Sequence, residues 1–142
     1  MINTRKQIDE LSYQIIGAAF EVHKHIGPGM LESVYQTCLE IELTEKGLSF
    51  QQQLEIPIEY KGHHVQGLFR CDFFVENLIV VELKAVSELL PIHEAQVINY
   101  MNLLKIPKGI LLNFNVTNLF KQGQKTFVSK ILQIPLVIFK TT

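Results

Sequence analysis

The stretch that decides the fold runs from Arg70 to Ala85 and reads RCDFFVENLIVVELKA. Apolar residues recur at every second position towards Val75, a pattern typical of a half-buried strand. Glu76-Asn77 predicts a turn, because Asn tolerates a left-handed backbone. The run from Ile79 to Ala85 is then a second, more apolar strand, so we expect a β-hairpin.

The register of this hairpin brings two carboxylates together. If Val75 pairs with Ile79, Asp72 lies opposite Glu82, and opposed residues have Cβ atoms roughly 4.5–5.5 Å apart. Two carboxylates that close repel each other unless a cation or a proton lies between them. Divalent cations such as Mg²⁺ prefer oxygen ligands. Lys84 points to the same side as Glu82 and could hold a water beside the metal, which favours metal-assisted hydrolysis.

Three motifs occur in order over about residues 29–100. Asp72 followed by Glu82-x-Lys84 resembles the core of the PD-(D/E)XK nuclease superfamily, although Cys71 stands where Pro often precedes the Asp. The stretch GMLESVY, residues 29–35, resembles the G-x-x-E-x-x-Y signature of the GxxExxY family within that superfamily. Gln96-x-x-x-Tyr100 is similar to the Q-x-x-x-Y motif of RecB-like nucleases.

The resemblance implies a hydrolase that uses Mg²⁺ or Mn²⁺ to cleave the phosphodiester bonds of nucleic acid, with DNA as the expected substrate. Asp72 and Glu82 would bind the metal with help from the Leu83 carbonyl. Lys84 would position the attacking water, and Glu32 would complete the acidic metal site. The rival hypothesis is a non-catalytic module that keeps the fold and binds nucleic acid or protein.

Other candidate residues have structural explanations as well. Gln96 and Tyr100 are four apart on a helix, so they share one face and could bond a phosphate or the catalytic lysine. They could equally be a half-buried polar pair on an amphipathic helix. Glu32 could simply be a solvated residue at a helix start, where the helix dipole favours a carboxylate. His23 is more often structural than functional at such a position.

The order of elements predicts an α/β fold. The first helix has one apolar face from Ile8 to Ile26, with Thr4-x-x-Gln7 as a capping box. A second helix begins near Met30, with Leu31, Val34, Cys38 and Ile41 expected on its inner face. A strand over 50–60, the hairpin, a helix over 92–104 and a strand over 109–114 follow. Strand–helix–strand of this spacing implies a parallel crossover. Residues 116–120, 127–132 and 136–139 look strand-like.

This order matches the αβββαβ core of restriction-endonuclease-like proteins, with a mixed sheet and an extra N-terminal helix. Its 142 residues suit a single domain over 1–142, and 47% hydrophobic content indicates a globular chain. We see no secretion signal, and the two cysteines fit reduced thiols in the cytoplasm.

Charge is distributed unevenly along the chain. Residues 1–94 carry 7 Lys or Arg and all 14 acidic residues, whereas residues 95–142 carry 6 Lys and no acid. Such asymmetry can mark a phosphate-facing surface, although lysine is also a common solvent-exposed residue. The lysines that would follow a nucleic-acid backbone are Lys105, Lys108, Lys121, Lys125 and Lys130.

Overall fold

Four helices and seven strands make up the part of the chain that the computed structural model describes, residues 5–67 and 69–129. Their order after the first helix contains the predicted αβββαβ succession, with a small hairpin inserted after the first strand. The elements are α1 (Arg5–Ile26), α2 (Glu32–Glu45), β1 (Phe50–Glu55), β2 (Ile58–Tyr60), β3 (His63–Val65), β4 (Arg70–Val75), β5 (Ile79–Lys84), α3 (Pro91–Leu104), β6 (Lys108–Asn113), α4 (Leu119–Gln122) and β7 (Gln124–Val128).

A mixed five-stranded sheet has the order β1-β4-β5-β6-β7, while β2 and β3 pair with each other in a separate hairpin. Strand β5 runs antiparallel to β4 and parallel to β6. Helix α3 connects the two parallel strands, as the strand–helix–strand spacing predicts. The α/β architecture and the extra N-terminal helix expected from the sequence are therefore confirmed.

The central hairpin has the predicted register. Val75 pairs with Ile79, Phe74 with Val80 and Phe73 with Val81. The turn residues Glu76 and Asn77 adopt φ values of 53° and 55°. Two successive left-handed residues are typical of the type I′ turn, whose twist matches that of the flanking strands.

The sheet separates two apolar cores. The α1/α2 core packs one face of the sheet against both N-terminal helices, and the α3 core packs the other face against the crossover helix. Side chains of β5 alternate strictly between them: Val81 and Leu83 belong to the α1/α2 core, and Val80 belongs to the α3 core. The predicted half-buried character of β4 is wrong for this reason, since Asp72 and Phe74 are buried as well as Cys71, Phe73 and Val75.

Helix α2 buries a different face from the one predicted. Its buried residues are Tyr35, Leu39 and Leu43, at spacings of four, whereas Leu31 and Ile41 are exposed. Both faces of this helix carry apolar residues, so periodicity alone did not distinguish them. The large apolar residues of α1 were assigned correctly and contribute Ile8, Leu11, Ile15 and Val22 to the α1/α2 core.

Several element boundaries also differ from the predictions. The strand expected over 50–60 divides into β1 and β2, with Pro57 between them. Residues 115–117 form bends and α4 begins at Leu119, so a strand over 116–120 is wrong. Thr4 of the predicted capping box and residues 130–142 lie outside the described residues. No helix in the described part is both long and apolar enough to cross a membrane.

The close packing of β6 against α3 gives a stability test. A Cβ atom at Gly109 would lie 2.6 Å from Val97 Cγ1 and 2.8 Å from Met101 Sδ. We expect Gly109→Ala to lower the free energy of unfolding by about 1–3 kcal/mol, because overpacking forces these side chains to shift. Urea denaturation measures this change.

Gly17 of α1 provides the matched control, because nothing lies within 4 Å of a Cβ placed there. Gly17→Ala should raise the free energy of unfolding by up to about 1 kcal/mol through helix propensity. Equal effects of the two substitutions would contradict this account of the β6–α3 contact.

Candidate functional site

Asp72 and Glu82 form a reciprocal pair with the backbone where β4 and β5 separate. The regular ladder ends at the Phe73–Val81 pair. Beyond it, the Asp72 N–H donates to Glu82 Oε1 at 3.0 Å, and the Leu83 N–H donates to Asp72 Oδ2 at 2.8 Å. Carboxylate oxygens thus satisfy strand N–H groups, and the two acidic side chains are only 8% and 5% exposed.

Two further side chains contact this pair. The Gln53 amide on β1 donates to Asp72 Oδ1 at 3.1 Å. The Tyr100 hydroxyl on α3 donates to the Arg70 carbonyl at 2.8 Å and lies 3.4 Å from Glu82 Oε2. Tyr100 therefore contacts an acidic residue and the β4 backbone, rather than a lysine. The sequence pattern did not identify Gln53, which looks like one more polar residue of an edge strand.

Asp72 and Glu82 are two acids buried side by side, and this shifts the pKa of Glu82 and of its neighbours. Burial, and next the charge of Asp72, raise the pKa of Glu82 from its ordinary 4.5 to about 8. Burial and the same two carboxylates raise the pKa of the Cys71 thiol to about 12. They also raise the pKa of Tyr100. Cys71 is consequently an unreactive thiol, and the site favours either a proton or a cation beside Glu82.

Glu32 begins α2, as the sequence predicts. The residue is exposed, yet desolvation of its carboxyl group raises the pKa of Glu32, the charge of Lys84 lowers it, and Asp72 raises it. Glu32 is therefore within electrostatic range of the hairpin site. Among residues 5–67 and 69–129, no three His, Cys, Asp or Glu side chains are grouped so as to hold a metal ion. Glu32 as a third metal ligand stays a prediction.

Tyr35 fixes the turn that precedes Glu32. Its hydroxyl donates to the Gly27 carbonyl at 2.6 Å and accepts from the Met30 N–H at 3.2 Å. Its ring is fully buried and stacks on Phe114 with centroids 4.6 Å apart. Tyr35 thus lies in the α1/α2 core.

Lys84 and Gln96 are the predicted site residues with unused polar groups. Lys84 is partly buried, and in the described part of the chain its ammonium group has no hydrogen bond or ion pair. Gln96 Oε1 is buried without a hydrogen-bond partner among those residues. The Lys84 ammonium therefore retains the capacity to bond a substrate or water, and Gln96 has an unused buried acceptor.

His23 and His93 have structural hydrogen-bond partners. His23 Nε2 lies 2.7 Å from the Val116 carbonyl oxygen, which connects α1 to the segment after β6. His93 Nδ1 accepts from the Leu90 N–H at 3.0 Å and so helps to cap α3. These contacts support the structural interpretation of His23.

The predicted lysine surface is divided by internal ion pairs. Lys108 is buried, with its ammonium 2.9 Å from Asp9 Oδ1, so its inclusion in an exposed phosphate-binding surface is wrong. Lys125 lies 2.6 Å from Glu94 Oε2. Lys105 and Lys121 are exposed, and Lys130 lies outside the described residues.

Comparisons with known proteins support the same fold. The family model described as the PD-(D/E)XK nuclease superfamily matches residues 9–127. A solved structure titled "Crystal structure of SSO0001" is similar, with a TM-score of 0.52 and 22% sequence identity, over 75% of this chain and 56% of that one. At this identity the likeness concerns the fold alone, and this chain spans little more than half of that protein. A search of curated proteins gave no match.

The raised pKa of Glu82 predicts how stability depends on pH. The folded pKa of about 8 exceeds the ordinary value of 4.5, so the folded metal-free protein binds a proton more tightly than the unfolded chain. Its stability should fall as pH rises between these values. Glu82→Gln removes this titration and keeps an oxygen for the Asp72 N–H, so it should raise the free energy of unfolding at about pH 9 by roughly 1–3 kcal/mol.

Urea denaturation in the presence of a chelator, at about pH 4 and about pH 9, measures the difference. Asp72→Asn is the matched control: both Asp72 oxygens accept hydrogen bonds, so the amide nitrogen would face an N–H donor and no stabilisation should follow. A Glu82→Gln effect of equal size at both pH values would contradict the role of ionisation.

Proposed function

Since this chain belongs to the PD-(D/E)XK nuclease superfamily, we propose that it is a divalent-metal-dependent nuclease that hydrolyses phosphodiester bonds of nucleic acid, DNA in the first instance. The observation that carries the proposal is the buried Asp72–Glu82 pair within electrostatic range of Lys84, whose ammonium has no ion pair among the described residues. This combination is expensive to bury, and it has an evident use in binding a cation and a phosphate.

The donor set fits Mg²⁺ or Mn²⁺. Each carboxylate oxygen that accepts one N–H keeps a further lone pair, and hard cations take oxygen ligands of this kind. The raised pKa of Glu82 shows that a second negative charge is disfavoured until a positive charge compensates it. Asp72, Glu82 and the Leu83 carbonyl would hold the ion, with Glu32 at its outer side. The bound ion would polarise the phosphate and lower the pKa of a water.

The side chains around the pair have separate tasks. Lys84 orients the attacking water and stabilises the negative charge that develops on the phosphate. Tyr100 fixes Glu82 by bonding the β4 backbone beside it. Gln96 supports the site from α3, one turn before Tyr100, with a buried oxygen that has no hydrogen-bond partner among the described residues. Tyr100 and Gln96 lie four residues apart on α3, and Lys84 lies two residues after Glu82 on β5.

We assign the chain more narrowly to the GxxExxY family and place the RecB-like Q-x-x-x-Y motif in its site. Gly29 supports this, because its φ of 96° is favourable only for glycine and turns the chain into α2. Tyr35 then fixes that turn, so the Gly and Tyr of the motif hold Glu32 at the helix start. We further propose a single domain over 1–142 in the cytoplasm, where the free Cys38 and Cys71 would stay reduced.

A non-catalytic nucleic-acid-binding or protein-interaction module is the second candidate. The observation in its favour is that Lys108 and Lys125 are engaged by Asp9 and Glu94, which leaves fewer cations for a phosphate backbone. The net charge of −1 agrees with this. Such a module would bind its partner equally well with and without the Lys84 ammonium.

The two candidates predict different behaviour of Lys84→Ala. The wild type should cleave at least one substrate in a panel of labelled single- and double-stranded DNAs and RNAs with Mg²⁺ or Mn²⁺, and cleavage should stop with chelator. Lys84→Ala should lower the cleavage rate about 10²-fold or more, as loss of a charge-stabilising donor does. Binding without cleavage by both proteins would favour the module.

Glu32→Gln tests the third carboxylate. We expect a loss of about 10-fold to 100-fold in Mn²⁺ affinity and in cleavage rate, the range seen when groups around a metal are altered. Calorimetric titration with Mn²⁺ gives the affinity. Glu45→Gln is the control, because Glu45 is an exposed residue at the opposite end of α2. Full activity of Glu32→Gln would remove Glu32 from the site.

A further inference from the structure

The side chains of β1 change sides of the sheet partway along the strand. In a regular strand, residues an even number apart face the same side. Phe50 and Leu54 are four apart, yet Phe50 packs against the α1/α2 core and Leu54 packs against the α3 core. The alternation of β1 is therefore broken between these two residues.

Strand β4 changes sides at the matching position. Phe73 and Val75 belong to the α1/α2 core, whereas Cys71, two residues before Phe73, belongs to the α3 core. Phe73 pairs with Gln52, and Cys71 pairs with Leu54. Both reversals therefore fall at the position between these pairs, where Gln53 lies beside Asp72.

Gln53 has the backbone conformation that produces such a reversal. Its φ is 51°, in the left-handed region that residues other than Gly, Asn and Asp rarely adopt. Its side chain is not free either, since the amide donates to Asp72 Oδ1 at 3.1 Å. A strained non-glycine backbone that persists beside a candidate site is an outlier of the kind that marks function.

We infer that Gln53 is a positioning residue for Asp72: its left-handed backbone reverses β1 and β4 at this level of the sheet, and its amide holds the Asp72 carboxylate against the Leu83 N–H. This inference rests on the proposed function, in which Asp72 binds the metal. The edge strand β1 would then contribute to a site whose other residues lie on β4, β5 and the helices.

The backbone reversal and the Gln53–Asp72 hydrogen bond both affect how β4 pairs with β5. A regular β4 would send Cys71 and Phe73 to the same face and continue its ladder with β5 past Val81. Instead the ladder stops there, and the Asp72 and Leu83 N–H groups are satisfied by carboxylates. Gln53 donates to the other Asp72 oxygen, so Oδ2 remains directed at Leu83.

Gln53→Gly separates positioning from ordinary structural support. Glycine keeps the left-handed backbone without strain and deletes the amide, so the urea midpoint should stay close to that of the wild type. In the metal-free protein, hydrogen exchange at the Leu83 N–H should accelerate roughly tenfold, because its acceptor loses a partner that holds it. Other β5 amides should keep their wild-type rates.

Two matched variants complete the test. Gln53→Lys keeps a donor of similar reach and should preserve slow exchange at Leu83. Gln51→Gly deletes a neighbouring exposed glutamine of β1 and should leave Leu83 unchanged. Wild-type exchange at Leu83 in Gln53→Gly, or equal acceleration in Gln51→Gly, would overturn the inference.

Titration with Mn²⁺ links the result to the proposed function. If both the inference and the proposed function hold, Gln53→Gly should bind Mn²⁺ about tenfold more weakly than the wild type. A wild type that binds no Mn²⁺ would defeat the proposed function. The exchange rates at Leu83, measured without metal, would still decide whether Gln53 positions Asp72.

Discussion

The structure depends on how two buried carboxylates are accommodated between β4 and β5. An isolated ionised carboxyl group is very costly to bury, so each must accept hydrogen bonds or stay protonated. Here the Asp72 N–H bonds Glu82 and the Leu83 N–H bonds Asp72, so the acids and the interrupted ladder satisfy each other. These hydrogen bonds do not fully compensate the burial and the mutual repulsion of the two charges, so the pKa of Glu82 is raised. A site of this kind costs stability until a cation compensates the charge.

The two apolar cores stabilise the fold and so offset the cost of burying the two carboxylates. Strands β5 and β6 are buried on both faces, with α1 and α2 on one side and α3 on the other. This arrangement shields the two carboxylates from most of the solvent and makes their electrostatic interactions stronger. It also explains why the polar groups cluster where β4 and β5 separate: elsewhere the sheet is closed by its ladders and by apolar side chains.

Sequence reasoning was most successful where interactions are local. The hairpin register follows from a short turn, and α3 with its parallel crossover follows from periodicity and spacing. It failed where the outcome depends on distant packing. The inner face of α2 includes Tyr35, which stacks on Phe114, a residue distant in the sequence. Gln53 acquires its place beside Asp72 only when β1 pairs with β4, and no local pattern indicates a left-handed residue there.

The charge asymmetry of the sequence has a structural explanation that periodicity does not provide. The ion pairs Asp9–Lys108 and Glu94–Lys125 each join an acidic residue of the first 94 to a lysine of the basic remainder. Part of the asymmetry therefore reflects which segments pack together, since a buried lysine such as Lys108 requires a partner. In the proposed function, a nucleic acid is held mainly by the chemistry of the site and less by a broad positive surface. Recognition of this kind depends on the placement of a few groups. A residue such as Gln53, which fixes one oxygen of Asp72, therefore contributes more to function than its place on an edge strand indicates.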